Sequence, residues 1–345
     1  MTLTTLSETP LTETTLTELP ADRADLPLMV LGSCVPALVE PYRRHLKDLH
    51  DVCRVRMAED SITDGGEFLR RVEGAEVVIG AGYHFDDDVL RRMAEGGVKC
   101  LVFCGTGVAS FVNVPLADEL GVTLCNAVRY GDALVAEHAI ALLFEIARRV
   151  GAQDVALHRG EWFCSSGMLQ LEGLTIGLAG FGGVARSVAR IARGLGMHVK
   201  VWCRHPDAAP LAEYGAEAVP TLDDLFSGSD VVSLHLALNE ATRGMIDARL
   251  LDLLRPGSIL INTARAELVA PGALEARVAR GDIEVGVDVY DHEPLSADDP
   301  ILRLDHVLTT PHTAWKTSRA LDNVARQNVE TIRAWFAGSP VHVVR

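Results

Sequence analysis

Short apolar runs alternate with amphipathic stretches from residue 28 onward. The apolar runs predict buried strands, whereas the stretches between them have the three- to four-residue apolar spacing of helices. The predicted strands are residues 28–32, 77–82, 101–107, 174–179, 198–203, 230–236, 258–262, 283–288 and 306–310. Strands and helices that alternate in this way are typical of a layered α/β fold with mostly parallel sheets.

A long helical stretch, residues 131–160, separates two series of these elements. The first series ends near Asn126. The second opens with the strand at 174–179 and a helix at 183–196, and each strand–helix–strand unit in it requires a crossover that pairs its strands in parallel.

Length and composition narrow the class of protein. At ~150 residues per domain, 345 residues correspond to about two domains. The 32 Lys and Arg against 47 Asp and Glu give a formal charge of −15, which disfavours binding to nucleic acids or membrane surfaces. Seven scattered cysteines without a CxxC pair indicate reduced thiols in the cytoplasm and predict no metal site.

The N-terminal 27 residues carry neither a basic region nor an apolar core of the kind found in signal peptides. They are rich in threonine and acidic residues, so we expect residues 1–27 to be a disordered extension. No apolar run approaches the ~18 residues that a membrane span requires.

The strand at 174–179 leads directly into a glycine-rich turn that matches the dinucleotide-binding pattern GxGxx[G/A] and ends at Ala185. In this pattern the glycines permit a tight turn and a close approach of backbone to pyrophosphate, and the amides at the start of the next helix face the phosphates. The predicted cofactor-binding residues of the turn are Gly180, Phe181, Gly182, Gly183 and Val184.

The second strand of this unit ends without the acidic residue that commonly binds the adenosine ribose. Cys203, Arg204 and His205 occupy this position. Loss of the acid removes repulsion toward a 2′-phosphate, and Arg204 can pair with that group. The sequence therefore favours NADP(H), with NAD(H) as the alternative if Arg204 stacks on adenine or faces solvent.

Three later strands are each followed by a residue capable of acid–base or anion chemistry, namely Arg265, Glu293 and His312. Each alone is more often a structural or solvated residue. Ligands bind at the carboxyl ends of parallel strands, so the three are expected to converge on one crevice.

Six ordered segments resemble the D-isomer-specific 2-hydroxyacid dehydrogenase family over residues 28 to 345. They read VAEHAIALL, LTIGLAGFGGVARSVARIA, DVVSLHLALNEATRGMI, LLRPGSILINTARAELV, GVDVYDHEPL and TTPHTAW. The resemblance places the family's catalytic Arg, Glu and His on Arg265, Glu293 and His312. The sequence departs from the family at Ala266 and Ala270, where the usual RG and VD are absent.

The resemblance implies two Rossmann-like or flavodoxin-like domains with parallel sheets and an interdomain active-site cleft. The expected substrate-binding domain comprises residues 28–127 and 315–345, and the dinucleotide-binding Rossmann domain comprises residues 128–314. A homodimer is expected as well. Further implied cofactor contacts are His235, Thr242, Thr263, Ala264, Asp288 and Ala314.

The chemistry of a 2-oxo acid suits these residue types. Arg265 can clamp the carboxylate and polarise the adjacent ketone with its planar donor fork. Hydride attack leaves an alkoxide that needs a proton. His312 can supply this proton, and Glu293 can orient the ring and favour its charged form.

The first domain is expected to bind the substrate through the glycine loop CGTGV. The candidate residues are the amides of Thr106, Gly107 and Val108, for which a strand-ending turn is the structural alternative. Arg129 is either a ligand for a second anionic group or a solvated side chain. Tyr83, His84 and Trp315 either line the pocket for the substrate's side chain or pack in the core.

The predicted activity is interconversion of a 2-oxo acid and a D-2-hydroxy acid with NAD(P)H. Two alternatives remain: a dinucleotide-sensing corepressor-like protein and a phosphite or formate dehydrogenase on the same scaffold. Glu293 argues against formate dehydrogenase, in which the resembling position is Gln. The sequence leaves the particular substrate and the physiological direction open.

Overall fold

A computed structural model describes residues 16–162 and 167–344. Most of the expected N-terminal extension and Cys164 lie outside these ranges. The chain divides into two compact units, the first of Met1–Tyr130 with Ser318–Arg345 and the second of Gly131–Thr317. The boundaries after residues 130 and 317 each lie three residues later than the expected boundaries after residues 127 and 314.

The strands are β1 Thr17–Leu19, β2 Leu28–Ser33, β3 Arg54–Met57, β4 Val77–Gly80, β5 Cys100–Phe103, β6 Thr123–Asn126, β7 Thr175–Ala179, β8 His198–Trp202, β9 Ala216–Ala218, β10 Val231–Leu234, β11 Ile259–Asn262, β12 Glu284–Val287 and β13 Val307–Thr309.

The helices are α1 Pro36–His45, α2 Gly65–Arg71, α3 Asp87–Glu95, α4 Val114–Glu119, α5 Asp132–Arg148, α6 Val150–His158, α7 Gly183–Gly194, α8 Ala208–Glu213, α9 Leu222–Ser227, α10 Ala248–Leu251, α11 Ala273–Val278 and α12 Ser318–Phe336. Among the helices described, none combines the length and apolar character of a membrane span.

The first unit is built on a six-stranded sheet with the order β1-β3-β2-β4-β5-β6. All neighbours from β3 to β6 pair in parallel. Without β1 this is the 2-1-3-4-5 order of flavodoxin-like folds. Strands β2, β4 and β5 are buried along their whole length, as expected for strands covered by helices on both faces.

The expectation of disorder through Pro27 is wrong for the last part of that segment. Thr17–Leu19 forms β1 and pairs antiparallel with β3, with Thr17 opposite Met57 and Leu19 opposite Val55. The open edge of β3 offers unpaired backbone groups, and three residues of extended chain satisfy them without requiring a strongly apolar sequence.

The second unit is a seven-stranded, wholly parallel sheet with the order β13-β12-β11-β10-β7-β8-β9. The chain starts in the middle at β7, runs outward to β9, and then returns to fill the other side from β10 to β13. The strand order reverses between β7 and β10, which is the position at which α/β sheets bind ligands.

The stretch predicted as one helix, residues 131–160, forms two helices. The buried residues Ala136, Ala139, Leu143 and Ile146 recur at helical spacing along α5. Arg149 then adopts a left-handed conformation with φ 51°, which ends α5 and starts α6. No glycine or proline marks this break, so the periodicity continues across it.

The C-terminal helix α12 returns to the first unit and packs against α1. Asn328 on α12 donates a hydrogen bond of 2.7 Å from Nδ2 to the hydroxyl of Tyr42 on α1. Both side chains are fully buried. This contact joins segments that are 286 residues apart in the sequence.

Candidate active site

The glycine turn between β7 and α7 has the geometry that a pyrophosphate requires. Gly180 has φ +103°, and a Cβ atom there would lie 2.7 Å from the carbonyl oxygen of His235. Gly182 is the N-cap of α7 without a side-chain cap, and a Cβ there would meet nothing within 4 Å. The turn at Gly182 therefore borders open space, which fits a dinucleotide phosphate at the start of α7.

An acidic side chain lies against this turn, which the sequence analysis did not anticipate. A Cβ at Gly183 would overlap the carboxylate of Asp132, the first residue of α5. Any side chain larger than glycine at position 183 would require Asp132 to move.

Buried polar atoms lie at the carboxyl ends of β10 and β11. Within the described ranges, Ser233 Oγ, His235 Nε2 and Thr263 Oγ1 have no hydrogen-bond partner in the protein. Burial lowers the pKa of His235 to about 4, so its ring is neutral near pH 7. Orphaned polar atoms at the strand-order reversal fit a site for a polar cofactor, as expected for His235 and Thr263.

Two of the residues expected to select the cofactor, Cys203 and His205, line a small cavity of about 120 Å³. Its other lining residues are Phe181, Arg186, Asp207 and Pro210. Arg204 is exposed and does not line this cavity. Burial raises the pKa of the Cys203 thiol, against the lowering effects of the His205 backbone and the positive charge of Arg186.

Arg186 is the cation of this cavity, and the sequence analysis missed it. Its Nε donates to the carbonyl oxygen of Phe181 at 3.2 Å, and its guanidinium lies 5.4 Å from the centre of the Phe181 ring. Arg186 directly follows the glycine pattern in the sequence, and its proximity to Cys203 depends on the pairing of β7 with β8.

The loop after β11 presents Arg265 in an extended conformation with φ −149°. Asn262, which is 3% exposed, donates from Nδ2 to the carbonyl oxygen of Arg265 at 2.9 Å. Its Oδ1 accepts from the amide of Ala264 at 3.0 Å. This buried amide side chain thus fixes the backbone from which the half-buried Arg265 extends.

Glu293 and His312 form the ion pair that the sequence predicts. The distance from His312 Nδ1 to Glu293 Oε2 is 2.6 Å, and both side chains are about one-third exposed at 29% and 31%. The other oxygen, Oε1, accepts from the amide of Tyr290 at 3.1 Å. With Nδ1 bound to the carboxylate, Nε2 is the ring nitrogen that remains for substrate.

The pKa of Glu293 is lowered overall. Desolvation raises this pKa. The hydrogen bond and charge of His312, the hydrogen bond from the Tyr290 amide and the charge of Arg265 lower it by a larger amount. Glu293 is therefore ionised at neutral pH.

Asp288 holds the loop that carries His312. It is fully buried, and its carboxylate accepts from the Thr310 hydroxyl at 2.6 Å and from the amides of Thr313 and Ala314 at 2.9 and 2.8 Å. The expected cofactor contacts of Asp288 and Ala314 stay a prediction, and the structure shows that the two residues also bond to each other. His312 itself has φ 48°, a strained backbone position that these contacts stabilise.

Thr242 is also bonded within its own loop. It is 4% exposed, and its hydroxyl donates to the carbonyl oxygen of Ala237 at 2.7 Å and accepts from the amide of Asn239 at 2.9 Å. The side chain thus closes its own turn instead of facing a cofactor.

In the first unit, the loop expected to bind substrate follows β5. Gly107 has φ −89° and ψ 66°, and the amide of Val108 donates to the carbonyl oxygen of Thr106 at 3.1 Å. This is an inverse γ-turn, so the expectation of a substrate-binding Val108 amide is wrong. Thr106 and Gly107 remain the candidates from this loop.

Tyr83 is part of the core. It is 2% exposed, and its ring stacks on Phe68 at a centroid distance of 4.0 Å and meets Phe85 edge-on. The expectation that Tyr83 lines a substrate pocket is therefore corrected. Its neighbour His84 is exposed and stacks on Phe111 at 4.1 Å.

The chain was compared with known proteins. The family profile described as "D-isomer specific 2-hydroxyacid dehydrogenase, NAD binding domain" matches residues 140–314, about half of the chain. A hydroxypyruvate reductase from Blautia hydrogenotrophica is 29% identical, over 82% of this chain and 89% of that protein.

A glycerate dehydrogenase from Methylorubrum extorquens is 31% identical, over 81% of this chain and 88% of that protein. Among solved structures, the D-lactate dehydrogenase from Escherichia coli superposes with a TM-score of 0.78 at 25% identity, covering 93% of this chain and all of that one. These matches confirm the resemblance and the fold class expected from the sequence, and the chain belongs to the D-isomer specific 2-hydroxyacid dehydrogenase family.

Proposed function

We propose that this protein interconverts a 2-oxo acid and a D-2-hydroxy acid, with Arg265, Glu293 and His312 as its catalytic residues. The observation that carries the proposal is the 2.6 Å contact between His312 and Glu293. This acid–base pair belongs to the same unit as the glycine turn. The family accounts for the coarser statement, an NAD-dependent oxidoreductase of 2-hydroxy acids.

The roles follow from the atoms involved. NAD(P)H supplies a hydride to the carbonyl carbon when it is bound at the turn after β7. Arg265 binds the carboxylate and polarises the ketone. His312 gives the proton on Nε2 to the alkoxide oxygen during reduction and takes it back during oxidation, while ionised Glu293 stabilises the imidazolium.

The His312–Glu293 pair favours hydroxy-acid chemistry over the formate alternative, because the oxidation of formate transfers a hydride without any proton to place. The similar proteins suggest small substrates first, since their names specify hydroxypyruvate and glycerate. No contact among the described residues favours the corepressor reading.

We also infer a preference for NADP(H), with Arg186 as a ligand of the 2′-phosphate. Cys203 stands where an acid would repel this phosphate, and Arg186 and His205 line the adjoining cavity. Asp207 also lines the cavity, but its Oδ1 accepts from the amide of Ala209 at 3.1 Å, which partly compensates its charge. Arg204 contributes less to binding the 2′-phosphate, because it is exposed and does not line the cavity.

A homodimer is proposed from an exposed apolar surface on α5, α6 and the segments that follow α6. Its members are Phe144, Val150, Val155, Leu157, Trp162 and Met168, which are 39–95% exposed. We propose that a second copy of the chain covers these side chains.

Loss of the acid–base group should abolish turnover. We expect His312→Asn and Arg265→Lys to lower kcat/KM for 2-oxo acid reduction by ~10² to 10⁴ fold, with dinucleotide affinity unchanged in a fluorescence titration. His306→Asn is the matched control, because His306 pairs with Glu284 at 3.0 Å before β13, as His312 pairs with Glu293 after it. Near-normal turnover in His312→Asn would remove this residue from the mechanism.

The pH profile tests the role of Glu293. Its pKa is lowered, so the carboxylate is charged over the whole neutral range and the imidazolium is stabilised there. In Glu293→Gln the protonated ring loses this partner, so the alkaline decline of kcat/KM for reduction should move to lower pH. An unchanged profile with reduced activity would contradict the pairing and leave Glu293 a structural residue.

Cofactor choice is tested by binding. We expect Arg186→Ala to weaken NADPH and 2′,5′-ADP by ~10 to 150 fold, the range for one charge-assisted contact, and NADH by less than about threefold. Arg204→Ala is the control and should change NADPH affinity little. The wild-type preference for NADPH should shrink as salt screens the contact. Tighter binding of NADH by the wild type at low salt would refute the assignment.

The dimer is tested by light scattering after gel filtration. We expect twice the monomer mass of 37.2 kDa for the wild type and a monomer for Leu157→Glu. Leu302→Glu, which alters an exposed leucine elsewhere in the same unit, should remain dimeric. A wild-type monomer at micromolar concentration would contradict the proposal.

A further inference from the structure

Tyr290 contacts the loops of both members of the His312–Glu293 pair. It lies after β12, between Asp288 and Glu293. Its amide donates to Glu293 Oε1 at 3.1 Å, and its hydroxyl donates to the carbonyl oxygen of Thr310 at 2.8 Å. Thr310 directly follows β13 and lies two residues before His312. One residue thus links the loop of the carboxylate to the loop of the imidazole.

The carbonyl oxygen of Thr310 is the atom through which Tyr290 acts on His312. This oxygen also accepts from the amide of His312 at 3.0 Å. A carbonyl oxygen has two lone pairs, and these two donors account for both. His312 has a left-handed φ of 48°, so its backbone needs contacts that keep it in this conformation. The orientation of the imidazole therefore depends on where this carbonyl oxygen is held.

Thr310 is anchored at its other polar groups. Its amide donates to the carbonyl oxygen of Val287 on β12 at 3.0 Å. Its hydroxyl donates to Asp288 Oδ1 at 2.6 Å and, because its one proton is used there, accepts from His138 Nε2 on α5 at 2.9 Å. Thr310 is therefore a fixed acceptor for the Tyr290 hydroxyl.

The side chain of Tyr290 is suited to the role of a fixed donor. It is half-buried, and burial together with the charge of Asp288 raises the pKa of Tyr290 to about 12, so the hydroxyl keeps its proton in the neutral range. The ring packs against a buried apolar cluster that includes Val287 and Ile301. A ring that packing already holds loses little further freedom when its hydroxyl makes this bond.

We propose that Tyr290 is a positioning residue for the acid–base pair. Its hydroxyl sets the carbonyl oxygen of Thr310 and thereby the backbone of His312, while its amide sets the carboxylate of Glu293. The two contacts keep His312 Nδ1 on the carboxylate, so that Nε2 keeps one direction for proton transfer. This inference rests on the proposed function, and it assigns Tyr290 no contact with substrate or cofactor.

A purely structural tyrosine is the competing explanation, since the ring of Tyr290 packs against the core. In that case Tyr290→Phe would lower the free energy of unfolding and leave the His312–Glu293 pair unchanged. A positioning role predicts a lower kcat at nearly the same KM and an altered environment of the His312 Nδ1 proton.

The experiment compares wild type with Tyr290→Phe, which keeps the ring and the amide and removes only the hydroxyl. We expect kcat for reduction of the 2-oxo acid that the wild type turns over fastest to fall by about 10- to 100-fold, the range for a misplaced catalytic group, and KM to change by less than about threefold. Dinucleotide affinity in a fluorescence titration should be unchanged.

The second measurement is NMR of the His312 Nδ1 proton in protein that contains isotope-labelled histidine. A proton in a 2.6 Å contact with a carboxylate resonates far downfield, and this resonance is identified by its loss in His312→Asn. We expect the resonance to shift or broaden in Tyr290→Phe, because the imidazole is then less firmly held on Glu293.

Tyr42→Phe is the matched control, because it also removes a tyrosine hydroxyl from a hydrogen bond, which is 2.7 Å long and lies in the first unit. It should leave kcat and the resonance unchanged. An unchanged kcat or an unchanged resonance in Tyr290→Phe, or equal losses in both variants, would overturn the positioning role. A wild type that reduces no 2-oxo acid, but whose resonance moves in Tyr290→Phe alone, would refute the proposed function and leave Tyr290 as the residue that positions the pair.

Discussion

Parallel strand pairing is the constraint on which the described chemistry depends. In the seven-stranded sheet of the second unit, each strand is parallel to its neighbours, so the carboxyl ends of all seven strands lie at one edge. The glycine turn, Arg265 and His312 each follow a different strand, and all three therefore lie at this edge of the sheet. The reversal of strand order between β7 and β10 opens the crevice in which the backbone of the turn is accessible.

Buried polar side chains convert this common edge into defined positions. Asp288 binds three donors of the His312 loop, and Asn262 binds two backbone groups of the Arg265 loop. Burial of a carboxylate is costly unless it is satisfied, and each charge-assisted hydrogen bond contributes about 1.5 to 3 kcal/mol. These residues therefore fix the loops from which the side chains of Arg265 and His312 extend.

Charge is distributed unevenly around these positions. Glu293 lies beside His312, Asp132 lies against the glycine turn, and Arg186 lies beside Cys203. Two of these charges are negative and one is positive, and each acts on its immediate neighbours. The net charge of −15 does not predict the local charge at these three positions. Local fields act over a few ångströms, whereas the net charge acts at longer range.

The sequence by itself determined the elements and residue types that short-range patterns encode. Apolar runs gave most parallel strands within one or two residues, and GFGGVA gave the dinucleotide turn, because both depend on local backbone preferences. Strands β3, β6 and β9 were missed, β3 because two arginines interrupt its apolar run RVRM, and the break at Arg149 was missed since no residue type at that position marks it. Tertiary structure alone decided the 2.6 Å geometry of the expected Glu293–His312 pair, that Arg186 and not Arg204 lines the cavity beside Cys203, that Tyr83 is buried and that the Val108 amide is occupied. Each of these depends on side chains from different strands or turns coming within a few ångströms, and packing sets such distances whereas sequence spacing does not.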